Sequence, residues 1–400
     1  MTVLADSRIV RTFRGLQAQV VAAVVHDSAG DLDLAEAAAE AAFQEAVSSW
    51  SRDGIPEQPD RWAVTAARRA VVDLTELTSA RTPKMVAALD ADVAEDHRMA
   101  LIFSLTHPAL HLPARVALTL RFWAGLSLSE IAHAFGVDEP TMRRRLDLAK
   151  GPINRGDIVV APPSPEDLDE RLAAVLSVLY LIFNEGYVGS RSATLTGDDL
   201  SEESIGLTRS LLAQLPEQED IRGLLALMLF IQSRRRARVG RHGDLIALPQ
   251  QDRGLWDRES IAQAEFLLRQ ARRSPRLSRY TVEAEIQALH AATLDGSAAD
   301  WPAVLAHYDA LRFIAPGPAV ELNRAVALAE VDGPAAALEI VDALPDDSHL
   351  WHAVRADLLE RLGRDEEADR QWQLGADRAA PGVEQAYMAT HGTHLAPPAP

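Results

Sequence analysis

The sequence predicts an all-α protein, and three observations carry that reading. Apolar residues recur at three- and four-residue spacings along nearly the whole chain of 400 residues, while alternating runs bounded by turns are scarce. The interruptions are of the kind that end helices: Gly- and Pro-bearing stretches at 49–60, 79–85, 151–167 and 234–254, and the Pro-rich tail "HLAPPAP". The composition, 48% hydrophobic and 24% charged, is that of a globular chain long enough for two or three domains, which excludes a disordered or fibrous protein.

The most specific elements lie in "RVALTLRFWAGLSLSEIAHAFGVDEPTMRRRLDLAK", residues 115 to 150. An apolar helix ends near Gly125. Ser127 then stands three residues before Glu130, a capping box that starts a short helix through "EIAHAF". Gly136 supplies a turn, and Asp138 or Glu139 followed by Pro140 opens a second helix carrying Arg143, Arg144 and Arg145. This is the spacing of a helix-turn-helix, whose second helix enters the major groove. The candidate DNA-binding residues are Thr141, Arg143, Arg144, Arg145 and Lys150. The plain alternative is a helical hairpin with a solvated arginine face.

Farther along, Gly and four prolines coincide with a loss of helical period between 151 and 167, so a linker over 156–167 is expected to divide the chain. Before it stand a helical domain over 1–97 and the helix-turn-helix domain over 98–155; after it come a helical extension over 168–390 and a tail over 391–400. The extension shows repeats. "WPAVLAHYDALRFIAPGP", "VELNRAVALAEVDGPAAALEIVDALPDD" and "WHAVRADLLERLGRDEEADRQWQLGADRAAPG" end at Pro316, Pro345 and Pro381, with glycine turns at Gly333 and Gly363. That spacing approaches the ~34 residues of a tetratricopeptide unit, and such helix pairs must stack to bury their apolar faces.

Several functions are set aside by composition. A formal charge of −18 argues against a protein that coats nucleic acid, so any DNA contact must be local. With no cysteine there is no disulfide, thiolate metal site or cysteine nucleophile. No run of eighteen apolar residues and no signal-peptide pattern occurs, which points to a cytoplasmic protein without a membrane partner. Neither a phosphate-cradling "GxxxxGK" loop nor a His-Glu-x-x-His zinc motif is present, and no cofactor or metal is implied.

One apolar run, "LYLIFNEGY" (179–187), ends in Asn184, Glu185 and Tyr187. Polar residues of similar kind recur downstream at Arg235, Asp252, Arg253, Trp256, Asp257, Arg258, His290, Asn323, Arg324 and Arg355. Two arrangements are expected of them. One is a buried network in which Glu185 pairs with an arginine, since an unpaired buried carboxylate costs several kcal/mol. The other is a pocket for a small molecule or peptide, with Glu185 as acid or anchor and Tyr187 and Trp256 as walls. Were the pocket catalytic, Glu185, Tyr187, Asp252 and Arg258 would be its reactive groups, with no reaction specified.

Residues 115 to 150 resemble region four of bacterial sigma factors of the extracytoplasmic-function type, and "DLAEAAAEAAFQEAVSSWSRDGIPEQPDRWAVTAARRAVVD" resembles their region two. "LSVLYLIFNEGY", "QQDRGLWDRESI", "PAVELNRAVALAE" and "HAVRADLLERLGR" follow in the order found in the tetratricopeptide-like extension that one group of these factors carries. The resemblance implies core RNA polymerase and promoter DNA as partners. It places polymerase docking on Asp33, Glu36, Glu40 and Phe43, and the −35 promoter element on the helix-turn-helix. The extension would be a regulatory domain, open to a protein or small-molecule ligand. The chain departs from this pattern where a basic string is usual after region two, reading Leu74, Thr75, Glu76 and Leu77; residues 1–100 hold about ten basic and about sixteen acidic side chains, a poor balance for gripping phosphate. The alternative function is therefore a sigma-derived protein with weakened promoter activity, repurposed as an enzyme or interaction module.

Overall fold

The computed structural model describes residues 7–77, 93–188, 197–238, 240, 245–274, 276–293, 299–345, 347–379 and 382–391, and every element among them is helical. The break expected at 79–85 and the tail after 391 lie outside these residues. The chain forms two compact units, Met1–Ser210 and Leu211–Pro400.

The first unit begins with three mutually packed helices, α1 (Ser7–Asp27), α2 (Leu32–Asp53) and α3 (Pro59–Leu77). The Asp31 carboxylate accepts the Leu34 N–H at 2.9 Å to start α2, and Gly54, at φ 83°, ends it. The buried face of α2 is small, with Ala35, Ala38, Ala39, Ala42 and Ala46, and α1, which packs on α2, buries Val20, Val21 and Val24. Next come α4 (Val93–Leu105), packed on α1, and α5 (Leu112–Leu118), which runs into one π-helical turn at Thr119–Trp123. They are followed by α6 (Leu128–Ala134), α7 (Glu139–Asn154), α8 (Leu168–Val188) and α9 (Gly197–Gln214).

Residues 156–167, expected as a linker, lie within the first unit. Prolines do end the helix there, but the segment is strapped down: Ile158 is buried, Ser104 Oγ donates to the Val159 carbonyl at 3.3 Å, and Arg171 donates to the Phe103 carbonyl at 2.6 Å. Helix α8 consequently packs on α4 and α5 within the first unit.

The second unit is centred on α10 (Glu219–Ser233), which is buried on nearly all sides. The short α11 (Arg235–Arg238) leads to α12 (Arg258–Ala271) and α13 (Arg279–Ala291), and α12 and α13 both cover α10. The remaining helices are α14 (Trp301–Ile314), α15 (Pro318–Val331), α16 (Pro334–Ala343), α17 (His349–Arg361), α18 (Asp365–Arg378) and α19 (Val383–His391). Each packs mainly on its neighbours in sequence, as in a helical-repeat array. Pro302, Pro318 and Pro334 occupy first turns, where a missing N–H costs nothing, and Gly333 and Gly363 turn with φ of 92° and 72°. The core is correspondingly divided: one cluster joins Ile286, Val304, Leu311 and Ala327, the next Leu322, Leu338, Val341 and Leu358, and the last Ala356, Trp372 and Met388. No described helix is long and apolar enough to cross a membrane.

Gly223 lets α10 and α13 touch. A Cβ there would lie 2.6 Å from Thr281 Oγ1 and 2.9 Å from the Thr281 backbone nitrogen. Helix propensity would favour alanine by about 1 kcal/mol, but backbone cannot retreat as a side chain does, and overpacking costs about 1 to 3 kcal/mol or more. Gly223→Ala should therefore lower the thermal midpoint of the second unit by a few degrees, at about 2 to 4 °C per kcal/mol; a raised midpoint by calorimetry would contradict this packing.

Candidate nucleic-acid interface

The helix-turn-helix is built from local signals. Ser127 Oγ accepts the Glu130 N–H at 3.2 Å while Glu130 Oε2 accepts the Ser127 N–H at 2.6 Å, so the capping box closes both ways at the start of α6. Gly136, at φ 61°, makes the turn. Asp138 Oδ1 accepts the Thr141 N–H at 2.8 Å, and Pro140 sits in the first turn of α7. Met142, Leu146, Ala149 and Ile153 face the core, a spacing that leaves Arg143, Arg144 and Arg145 exposed. Arg143 and Arg144 line a shallow depression of about 330 Å³ together with Glu139, Pro140 and Asp147. Thr141 is half-buried with its backbone held by the cap.

Lys150 does not join this face. Its side chain is only 7% exposed, and its ammonium donates to Asp33 at 2.6 Å and Glu36 at 3.1 Å, with Asp147 also at 3.1 Å. Burial opposes the charge, but the hydrogen bond that Lys150 donates to Asp33 and the two other carboxylates outweigh it and hold Lys150 above the ordinary lysine range. The expectation that Lys150 contacts DNA is thus corrected: it turns inward because it continues the Leu146–Ala149–Ile153 face of α7. Two residues expected to dock a partner, Asp33 and Glu36, are its counter-ions. Glu40 is exposed and accepts a hydrogen bond from Gln44 at 2.8 Å; Phe43 is half-buried, its ring 5.3 Å from that of Phe13.

More contacts bind the helix-turn-helix to α1 and α2. Arg14 forms two hydrogen bonds to Glu130, at 2.8 and 3.1 Å, and Arg121 reaches Glu36 at 2.8 Å. Asn154 donates to Asp33 at 2.7 Å and accepts the Leu32 N–H at 3.0 Å. Arg14 and Arg121 are residues that sequence reasoning missed; each lies on a helix whose spacing shows it only at the edge of the apolar face.

The polar residues of the extension do not form one site. Asn184 is half-buried and Glu185 exposed, so a buried Glu185 ion pair is ruled out; both belong to the first unit, and the Tyr187 side chain lies outside the described residues. In the second unit, Asp252 and Asp257 cap turns, accepting from Gly254 at 2.8 Å and Glu259 at 3.0 Å. Arg253 stacks on the buried Trp256, with its guanidinium carbon 4.5 Å from the ring centre, and Arg234 lies at 5.7 Å. Arg234 also donates to Gln287 at 2.6 Å. Arg235 is half-buried on α11, while Arg258 and Asn323 are exposed. Arg324 pairs with Asp309 at 2.6 Å and Arg355 with Asp342 at 2.7 Å. Of the expected set, Arg253, Trp256 and His290 come together, with Arg234 beside them, while the others are held by separate local contacts. Among the described residues no group of three His, Asp or Glu side chains is placed to hold a metal ion.

Residues 171–272 match the model of a family of unknown function, DUF6596. The chain is 35% identical over 384 residues to the uncharacterized protein R00370 of Rhizobium meliloti (strain 1021), across 92% of this chain and 91% of that protein, and it belongs to the same family. No solved structure matches it.

Two predictions follow from the placement of the extension's polar groups. His290 is pushed down to about 4, first by burial and then by Arg234 and Arg253. Its unfolded value is about 6.5, so the unfolded state binds the extra proton between those pH values. The stability that neutral His290 contributes is complete above about pH 6.5 and lost as pH falls towards 4, by up to about 3 kcal/mol. His290→Gln should flatten the fall in midpoint between pH 6.5 and 4.5; parallel curves for variant and parent would contradict the burial. Glu185→Ala, by contrast, should change stability by no more than about 0.5 kcal/mol, as exposed positions do, which a midpoint shift above about 2 °C would refute.

Proposed function

We propose that the chain is a sigma-factor-like transcription initiation protein that binds core RNA polymerase and promoter DNA, with the helical-repeat unit as its regulatory domain. The observation that carries this reading is α7: a helix opened by the Asp138 cap, set by a glycine turn behind a capped α6, and presenting Arg143, Arg144 and Arg145 to solvent. In a helix-turn-helix the start of the second helix meets base edges and the first helix crosses the backbone. The three arginines lie in that first stretch of α7. The α1–α3 bundle precedes it and the repeat unit follows it, the order that the sequence resemblance implies. Initiation takes place where the genome is, so the proposed protein works in the cytoplasm of a bacterium.

The division of labour follows from charge. Phosphate neutralisation supplies most non-specific DNA affinity, and Lys150 is engaged internally, leaving the arginines of α7 as the cations that the helix offers. Promoter engagement is then weak without polymerase. In vitro transcription with core polymerase and a promoter library tests the proposal: promoter-dependent transcripts that need this chain support it, and their absence, with no co-purification of core polymerase, overturns it.

The DNA contact has its own test. Duplex binding by the full chain should fall with salt at a log–log slope of about −2 to −3, from about three phosphate contacts. Replacing Arg143, Arg144 and Arg145 together by alanine should abolish most of that slope. An unchanged affinity in fluorescence anisotropy would remove α7 as the recognition helix.

A further inference from the structure

Several arginines of the second unit are matched to carboxylates: Arg238 to Glu384, Arg272 to Glu285, Arg324 to Asp309 and Arg355 to Asp342. Arg253 departs from this pattern. Its guanidinium carbon lies 4.5 Å from the centre of the Trp256 ring, no ion pair joins it to a carboxylate among the described residues, and its Nη1 is buried without a hydrogen-bond acceptor. The indole Nε1 of Trp256, a residue 3% exposed, is likewise buried with no acceptor. The adjacent Asp252 and Asp257 are engaged elsewhere, because their carboxylates accept the backbone N–H groups of Gly254 and Glu259. In a chain of net charge −18, a cation drawn from water and left without a counter-ion is a costly arrangement to keep.

Three segments meet at this place. The Asp257 N–H donates to the Ser233 carbonyl at 2.9 Å, tying the 251–257 turn to the end of α10, and Arg234 donates to Gln287 at 2.6 Å, tying the same end to α13. The guanidinium carbon of Arg234 lies 5.7 Å from the centre of the Trp256 ring, and both arginines are near enough to His290 of α13 to oppose its protonation. Two carboxamide oxygens in the same segments, Gln232 Oε1 and Gln251 Oε1, are also buried and accept nothing. We propose that this junction is a binding site for a small hydroxylated oxyanion, a carboxylate or a phosphate: Arg253 and the Trp256 indole N–H hold its charged oxygens, Arg234 adds a second positive charge, and its hydroxyl donates to one of the two glutamines. A guanidinium suits either group, since its planar fork of N–H donors matches the oxygens of both. Arg253 and His290 are only partly buried, so the junction is within reach of solvent. Nothing in this site depends on α7; if the chain is a sigma-like factor, the oxyanion is what its regulatory unit senses.

The test titrates L-lactate or inorganic phosphate into the full chain at constant ionic strength, with chloride as the balancing anion. The tryptophan indole N–H resonances of isotope-labelled protein report the result, and Trp256 is identified by the resonance that Trp256→Phe removes. One or both probes should shift the Trp256 resonance saturably, with half-saturation in the millimolar range expected of ligands this small. A response to lactate alone marks a carboxylate site, and a response to phosphate alone a phosphate site. Arg253→Gln should weaken binding about tenfold or more, as loss of a charged hydrogen-bond donor does. Arg253→Lys keeps the charge without the fork and should weaken it several-fold; it serves as the second variant should the glutamine one not fold, which the remaining indole resonances reveal. Arg272→Gln removes a partly exposed arginine paired with Glu285 and should leave binding unchanged. No saturable shift with either probe, an equal shift with chloride alone, or equal affinity in the parent and a folded Arg253 variant overturns the site. None of these outcomes alters what the transcription assay decides about α7 and polymerase.

Discussion

A lysine ammonium withdrawn from water is the constraint from which much of the first unit follows. Taking such a charge to 7% exposure is tolerable only with carboxylates in hydrogen-bond reach, and Asp33 and Glu36 lie more than a hundred residues away in sequence. The pairing therefore fixes α7 on α2, and with it the orientation of the whole helix-turn-helix. On one helix, Met142, Leu146, Ala149, Lys150 and Ile153 share the inner face. The same 3.6-residue period puts Arg143, Arg144 and Arg145 on the outside. Exposure of the arginines and burial of the lysine are two consequences of one rotation of α7.

The second unit meets the demands of charge differently. Its ion pairs join neighbouring helices: Arg272 to Glu285, Arg324 to Asp309, Arg355 to Asp342, Arg361 to Glu330. Most are partly exposed, and pairs of this kind contribute about 0 to 1 kcal/mol each. They select which helix face meets which, while the small apolar clusters between successive pairs supply the cohesion. The stacked Arg253–Trp256–Arg234 group is of another type. There, cations lie against an indole ring, and burial together with those cations depresses His290, so a neutral imidazole becomes part of the packing.

What the sequence disclosed was local. The capping box at Ser127, the Asp138 cap, the turn at Gly136 and the glycine turns of the repeats depend on residues within four positions of each other, and all are found as expected. Contacts at long range were not legible. Glu185 follows an apolar run and so looked buried, yet α8 turns that side of its last turns outward. Lys150 ends an arginine-rich stretch and looked like part of the same positive face, although its register with Leu146 and Ile153 placed it inside. The proline-rich stretch at 156–167 read as a linker because composition reports the loss of helix, not the burial of Ile158 that ties the stretch down. Nor does any periodicity announce the π-helical turn at Thr119–Trp123, which shifts the register between α5 and Gly125.

Charge also limits how the proposed protein can work. In a chain of net charge −18, Arg14, Arg68, Arg69, Arg121 and Lys150 all answer carboxylates of the same unit. Helix α7 presents three arginines flanked by Glu139 and Asp147, whose charge opposes the phosphates. A surface of that strength cannot by itself select a promoter among many competing sites. Tethering to a partner that already holds DNA converts the weak contact into an intramolecular one, at effective concentrations in the millimolar range for a short tether. On the proposed reading, the sparse positive charge of α7 makes recognition conditional on polymerase, because the attraction available to the lone protein is limited to three arginines set among carboxylates.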